Sequence, residues 1–306
     1  MRVVAVPTTL DERSFDRLVR GLEEAGQERV LFDARHLRWV DPYGMLGLLA
    51  AGTVAGRAGA RPRLQLPESA EVVSYLTRMG FFEHAAEVFE LQGSGGRGRA
   101  EGGSDVLLEI TAIRSHGDIH VLLDRIQERM AILMRQLHYP VVTAMNFSVI
   151  LSEVCQNILE HAQAPGWVAS QTYFWKRRLG RKAAVIAVMD LGVGFRGSLA
   201  ATHASRYGDK WSDVTALEAA FIHGMTRLHD PGRGQGIKQI RKQVGRMGGR
   251  VSIRSGTARI GDVPDWDDAP PLEEQLPYFP GAQIGIVLPA RVAEGEAEAG
   301  PKGGKE

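Results

Sequence analysis

The sequence predicts an α/β protein built in two parts. Three observations lead there. Short apolar runs alternate with helix-patterned segments through roughly the first 90 residues, as expected of a layered α/β fold. A stretch of linker composition, Gly93-Ser94-Gly95-Gly96-Arg97-Gly98-Arg99-Ala100-Glu101-Gly102-Gly103-Ser104, then interrupts the pattern. Beyond it, apolar-striped helical segments give way to two apolar strands, a further helix and closing strands. A length of 306 residues suits about two domains at roughly 100–200 residues each. The boundaries read as 1–90, a Gly-rich linker over 91–105, a second unit over 106–290 and a disordered tail over 291–306, which lacks large apolar side chains.

The elements follow in order. Arg2 to Val6 alternates weakly and reads as an edge strand. Asp11 caps a helix in which Phe15, Leu18, Val19 and Leu22 keep the 3–4 spacing. Val30-Leu31-Phe32 is a buried-strand run, and Asp41 precedes a helix from Pro42 to about Gly56, with proline at the position where its missing N–H costs nothing. Leu64 and Leu66 mark a strand, and Ser69 opens a helix carrying Val72, Val73, Tyr75 and Leu76, closed near Gly80. In the second part, Val106 to Ile113 reads as a strand and Ile119 to Leu137 as a helix. A longer helix covers roughly Pro140 to Ala162. Strands follow at Trp167–Phe174 and Ala183–Met189, joined by the basic turn from Lys176 to Lys182, which reads as a solvated hairpin loop. Arg196 to Pro231 is polar and only partly helical, around Val214 to His223, as in a functional lid or a disordered loop. A helix over Ile237–Met247, a strand, an acidic and proline-rich excursion over Asp262–Pro280 and a last strand near Gly281–Pro289 complete the chain.

The residues able to carry chemistry lie in the second part. Glu153, Asn157 and His161 are spaced four apart and stack along one helix face. Asp190 ends a strand and is followed at once by Gly192 and Gly194. A carboxylate there can accept the exocyclic amine of adenine, with glycines admitting a flat ring; a plain Asp/Gly turn has the same composition. Gly232, Gly234 and Gly236 open a helix, where backbone N–H groups make an anion site. The segment is not a Walker A, since no Gly-Lys-Ser/Thr follows. It is not a Rossmann fingerprint, since no strand leads directly into it. Arg233 and Lys238 either neutralise phosphate or are exposed lid charges. Cys155 lies on the apolar stripe and reads as core.

Two resemblances follow. Phe32-Asp33, the run Val40-Asp41-Pro42-Tyr43-Gly44-Met45-Leu46-Gly47 and the late Met79-Gly80-Phe81-Phe82 resemble the STAS domain, the fold of anti-sigma-factor antagonists. Members of that family that switch partners carry Asp-Ser-Ser-Gly where this chain has Asp41-Pro42-Tyr43-Gly44, so the phosphoacceptor serine is absent. Asp41 also reads as a helix N-cap. Glu153-x-x-x-Asn157-x-x-x-His161, Asp190-x-Gly192-x-Gly194 and Gly232-x-Gly234-x-Gly236, in that order, resemble the GHKL superfamily of histidine-kinase-like ATPases (HATPase), and within it the anti-sigma-factor serine kinases. The resemblance covers about Leu107 to Pro289 and implies a Bergerat-type two-layer α/β sandwich, a mixed sheet covered on one face by helices. It implies ATP and Mg²⁺ as cofactors, Glu153 as catalytic base, Asn157 as metal ligand and Asp190 as adenine reader. Gly192 and Gly194 would border the base, and Gly232, Gly234 and Gly236 would close over the phosphates, with Lys238 among the cofactor-binding residues. His161 reads either as a further cofactor-binding residue or as a helix-end histidine satisfying a neighbouring backbone group. A threonine of the family's last strand is replaced here by Ala282 or Gln283.

Composition limits the function classes. Lys+Arg 37 against Asp+Glu 36 gives a net charge of +1, which argues against a general nucleic-acid binder. One cysteine excludes an intrachain disulfide and suits a reducing cytosol. No signal-peptide pattern opens the chain and no membrane-length apolar run occurs. The expectation is a cytoplasmic, ATP-binding signalling protein: a serine/threonine kinase or ATPase of the anti-sigma type, partnered by a STAS protein or sigma factor, with a homodimer as the oligomer the resemblance implies. The competing expectation is an ATP-gated switch with little turnover. A sensor histidine kinase fits least, because neither His116 nor His120 lies in a dimerisation-helix motif.

Overall fold

The computed structural model describes residues 1–93, 108–113, 124–125, 128–129, 132–133, 135–157, 164, 166–176, 178–226 and 236–291. The first part holds strands β1 (Arg2–Ala5), β2 (Thr9–Leu10), β3 (Val30–Asp33), β4 (Trp39–Val40), β5 (Arg63–Gln65) and β6 (Glu90–Gln92), with helices α1 (Glu12–Ala25), α2 (Pro42–Gly56), α3 (Ala70–Arg78) and α4 (Phe81–Val88). The second part holds β7 (Leu108–Ile113), α5 (Val141–Asn157), β8 (Gly166–Trp175), β9 (Arg181–Asp190), α6 (Gly194–Tyr207), α7 (Asp213–Phe221), α8 (Gly236–Arg246), β10 (Arg250–Gly256), β11 (Ala258–Asp262), β12 (Leu272–Glu273) and β13 (Phe279–Pro289). The protein is α/β, with one parallel and one antiparallel main sheet.

The first sheet runs β1-β3-β5-β6, with every described pair parallel. Parallel strands need crossovers, and the helices supply them. Leu91 pairs with Leu64, so β6 carries this sheet to Gln92, two residues into the segment read as linker. Helix starts follow their caps. Asp11 accepts from the Ser14 amide while the Ser14 hydroxyl returns to the Asp11 backbone, a capping box. Asp41 Oδ1 accepts from Gly44 N at 2.8 Å, so the capping role of Asp41 is observed.

The second sheet runs β12-β11-β10-β13-β9-β8-β7. Every described pair in it is antiparallel, whereas a mixed sheet was expected. For two of these pairs the reason is local: β8–β9 and β10–β11 are joined by short turns, which force antiparallel neighbours. Alternate residues face opposite ways. Ala184, Ile186 and Val188 of β9 join Ile284, Ile286, Val251 and Ile253 in a core with Leu151, Val154 and Cys155 of α5 and Ile240 and Val244 of α8.

The opposite face is not open to solvent. α1 and α2 lie between the two sheets, α2 against β8 and β9. Trp167, Ala169, Ala187 and Met189 from that face share one core with the first part. Farther along, the face is charged: Arg254 is 0% exposed, its Nε donating to Asp16 Oδ1 at 2.7 Å. Arg259 also pairs with Asp16. Glu12 accepts from Arg250 and, at 2.6 Å, from Ser252 Oγ. Buried pairs of this kind offset their own desolvation and add little net stability; their consequence is register, since each charge must meet its partner. The two parts therefore dock, a question the linker composition leaves open.

Two further expectations change. Over its described residues, 196–226, the 196–231 segment is largely helical, as α6 and α7 with a 3-10 turn between them over 208–210. The start of α7 is set by a Ser212/Thr215 capping box that reads in sequence as ordinary loop polarity. The 262–280 excursion is a strap across α1: Arg13 pairs with Asp267 at 2.6 Å, and Tyr278 N donates to Glu23 Oε1 at 2.6 Å. Four of its acids, Asp262, Asp267, Asp268 and Glu273, are matched by arginines lying elsewhere in the chain. The expected helix over 119–137 falls largely outside the described residues, as do most of the linker and the tail.

Candidate functional site

The site is built on the helix-covered face of the antiparallel sheet. Asp190 is the last residue of β9 and points to that face, in phase with Ile186 and Val188. Its Oδ1 accepts from Gly192 N at 2.8 Å, and the Ala282 amide on neighbouring β13 also donates to it. Asp190 is only 8% exposed. Burial raises its pKa to about 6, with the two amide bonds pulling the other way. A carboxylate has about four acceptor sites, so two amides leave capacity for a ligand donor.

The surrounding backbone is close enough to exclude side chains. Gly281 has φ +79°, and a Cβ there would stand 2.1 Å from the Asp190 carbonyl oxygen. Gly194 has φ +65°, and its Cβ would meet Ser255 Oγ at 2.6 Å. Both positions therefore require glycine for conformation and for space. Ser255 Oγ binds the cluster together, accepting from Phe195 N at 3.1 Å and donating to the Gly281 carbonyl at 2.8 Å. Ser255, Gly281 and the Ala282 amide were not singled out from sequence. Their role appears when β10, β13 and β9 pair, and a Gly-Ala in a strand carries no local sign of it. Of the two last-strand residues, Gln283 faces away from the site, its Oε1 accepting from Arg254 and its Nε2 donating to Pro280 O. Ala282 stands on the site face.

The second cluster joins two other motifs. Glu153, half-buried on α5, lies against Gly236 at the start of α8: a Cβ on Gly236 would meet Glu153 Cδ at 3.1 Å and Oε1 at 3.3 Å. Segments more than 80 residues apart are thus in contact. Asn157 ends α5, one turn beyond Glu153; the placement of its side chain is outside the described residues. His161, Gly232 and Gly234 also lie outside them. Lys238 is exposed on the first turns of α8, its aliphatic stem beside Gly224. The Asp190 and Glu153 clusters share one sheet face and one intervening core of Leu151, Val154, Val188 and Ile240.

The arrangement offers a buried acceptor with a close-fitting glycine wall at Asp190. In the second cluster, a carboxylate lies against a helix N-terminus. Among the described residues no three His, Cys, Asp or Glu side chains converge as a metal cluster. Magnesium held mainly by phosphates and water needs no such cluster. No helix among the described residues is long and apolar enough to cross a membrane.

Tyr43, which stands where the STAS resemblance places a phosphoacceptor, is 1% exposed. It packs edge-on against Phe15 at 5.7 Å and beneath Gly285 of β13. Burial raises the pKa of its phenol, and its hydroxyl meets no hydrogen-bond partner among the described residues. Compared with family models and with curated proteins, the sequence matches none.

Proposed function

We propose that this chain is an ATP-binding regulatory protein of the GHKL type, acting as an anti-sigma-type serine/threonine kinase or ATPase, with a STAS-like domain in front. The carrying observation is Asp190: a buried carboxylate at a strand end, fixed by two amides and walled by Gly194 and Gly281. An adenine amine satisfies such an acceptor, and the glycines let β9, β13 and the start of α6 close tightly around it. Contact between Glu153 and Gly236 supports the phosphate end, where the N-terminus of α8 favours negative charge. Bound Mg²⁺ would neutralise phosphate charge, with the Asn157 amide oxygen as its protein ligand. Glu153 would orient a water or substrate hydroxyl as general base. The proposed partner is a separate STAS protein or a sigma factor, in the cytoplasm.

A second reading, an ATP-gated switch with little turnover, is favoured by Tyr43: the built-in domain presents no accessible hydroxyl at that position. Calorimetry with ATP and Mg²⁺ tests the site. Binding that Asn157→Ala weakens sharply is expected, and unchanged affinity removes the assignment. Labelling of cell extract with γ-labelled ATP then separates the readings. Label on a serine of another protein supports the kinase; no turnover supports the switch.

A further inference from the structure

One peptide group joins the first part of the chain to the candidate nucleotide site. Leu191 lies between Asp190 and Gly192, and its carbonyl accepts from Arg57 Nη2 at 3.1 Å. Gly192 N, the other half of the same peptide group, donates to Asp190 Oδ1 at 2.8 Å. The unit is planar, so its carbonyl and N–H cannot reorient separately. A hydrogen bond to the carbonyl also polarises the amide and strengthens its donation. Leu191 is itself 3% exposed, packed in the core shared with the first part. Arg57 directly follows α2, a helix buried on every side from Pro42 to Gly52 and resting on β8 and β9. Movement of α2 therefore moves the peptide that orients the Asp190 carboxylate.

We propose that Arg57 is a positioning residue through which the first domain sets the adenine preference of the second. Resting on the nucleotide reading above, this makes the docked domain a built-in regulator of that site. Linkage makes the coupling reciprocal: whatever shifts α2 changes nucleotide affinity, and nucleotide shifts the docking of α2 by the same factor.

The test compares ATP with inosine triphosphate, which carries an oxygen in place of the adenine amine. Affinities of the full chain for both are measured by calorimetry with Mg²⁺. The wild type is expected to prefer ATP. Arg57→Ala is expected to weaken ATP about tenfold, leave inosine triphosphate unchanged and so erase the preference. Arg57→Lys, which keeps a donor of similar reach, is expected to restore most of it and remains informative should the alanine variant fold poorly. Equal weakening of both nucleotides, or wild-type preference in Arg57→Ala, overturns the inference while leaving the nucleotide site standing. A wild type that binds neither nucleotide overturns the nucleotide reading and the inference with it.

Discussion

Replacing Asp190 by asparagine should make the protein more stable and stop it reading adenine. Burial raises the carboxyl from 3.8 in the unfolded chain to about 6 in the folded protein. The folded state thus holds its proton more tightly than the unfolded state does. Stability carried by this group is greatest below pH 4, falls as pH rises from 4 to 6 and stays low above that. A displacement of about two units corresponds to about 3 kcal/mol at 1.36 kcal/mol per unit. Asp190→Asn removes that penalty, and its amide oxygen can still accept from Gly192 N. Its N–H₂ then needs partners of its own, so about 3 kcal/mol is an upper bound. The assay is urea unfolding of both proteins at pH 4.5 and pH 8. The gain should be present at pH 8 and mostly absent at pH 4.5. In the same variant ATP affinity should fall by roughly 10- to 100-fold, because the amide presents N–H groups to the adenine amine. A variant that is less stable at pH 8, or whose advantage does not depend on pH, refutes the burial argument. Unchanged ATP affinity refutes the adenine role.

The remaining predictions are shorter. Glu153→Gln should retain ATP binding and lose hydrolysis or transfer, by a hundredfold or more as judged by phosphate release, on the order of a general-base contribution. Equal turnover would rule out the base role. Gly281→Ala places a Cβ 2.1 Å from the Asp190 carbonyl oxygen at φ +79° and should cost roughly 2 kcal/mol or more in unfolding free energy. Asp16→Ala strips a partner from Arg254 and Arg259 and should destabilise by roughly 3–5 kcal/mol if the two parts unfold together. Calorimetric unfolding that separates into two transitions in this variant alone would show the docking has been broken.

Local elements were legible because their causes are local. Asp11, Asp41 and Ser69 each cap the helix they precede, and the 3–4 spacing of Phe15, Leu18, Val19 and Leu22 faces α1 inward. Asp190, Gly192 and Gly194 were legible as a strand end followed by glycines. The contact of Glu153 with Gly236 follows the pairing of motifs read from their order. The burial of α2 has a sign in the sequence. Its run from Met45 to Ala55 is apolar without periodicity, and a helix apolar all round must be covered all round.

The polar face of β10 had no such sign. Arg250, Ser252 and Arg254 alternate with Val251 and Ile253, a pattern that in sequence means one dry and one wet face. Tertiary structure reverses the second half of that inference. Glu12 and Asp16, more than 230 residues earlier, arrive on α1 and cover the arginines with matching charge. By itself the sequence determined where several helices begin and which carboxylates and glycines stand at the ends of elements. Those depend on neighbours within a few residues. What covers a face, and which peptide the first domain holds beside Asp190, depend on complementary groups far along the chain. No local pattern encodes such a meeting.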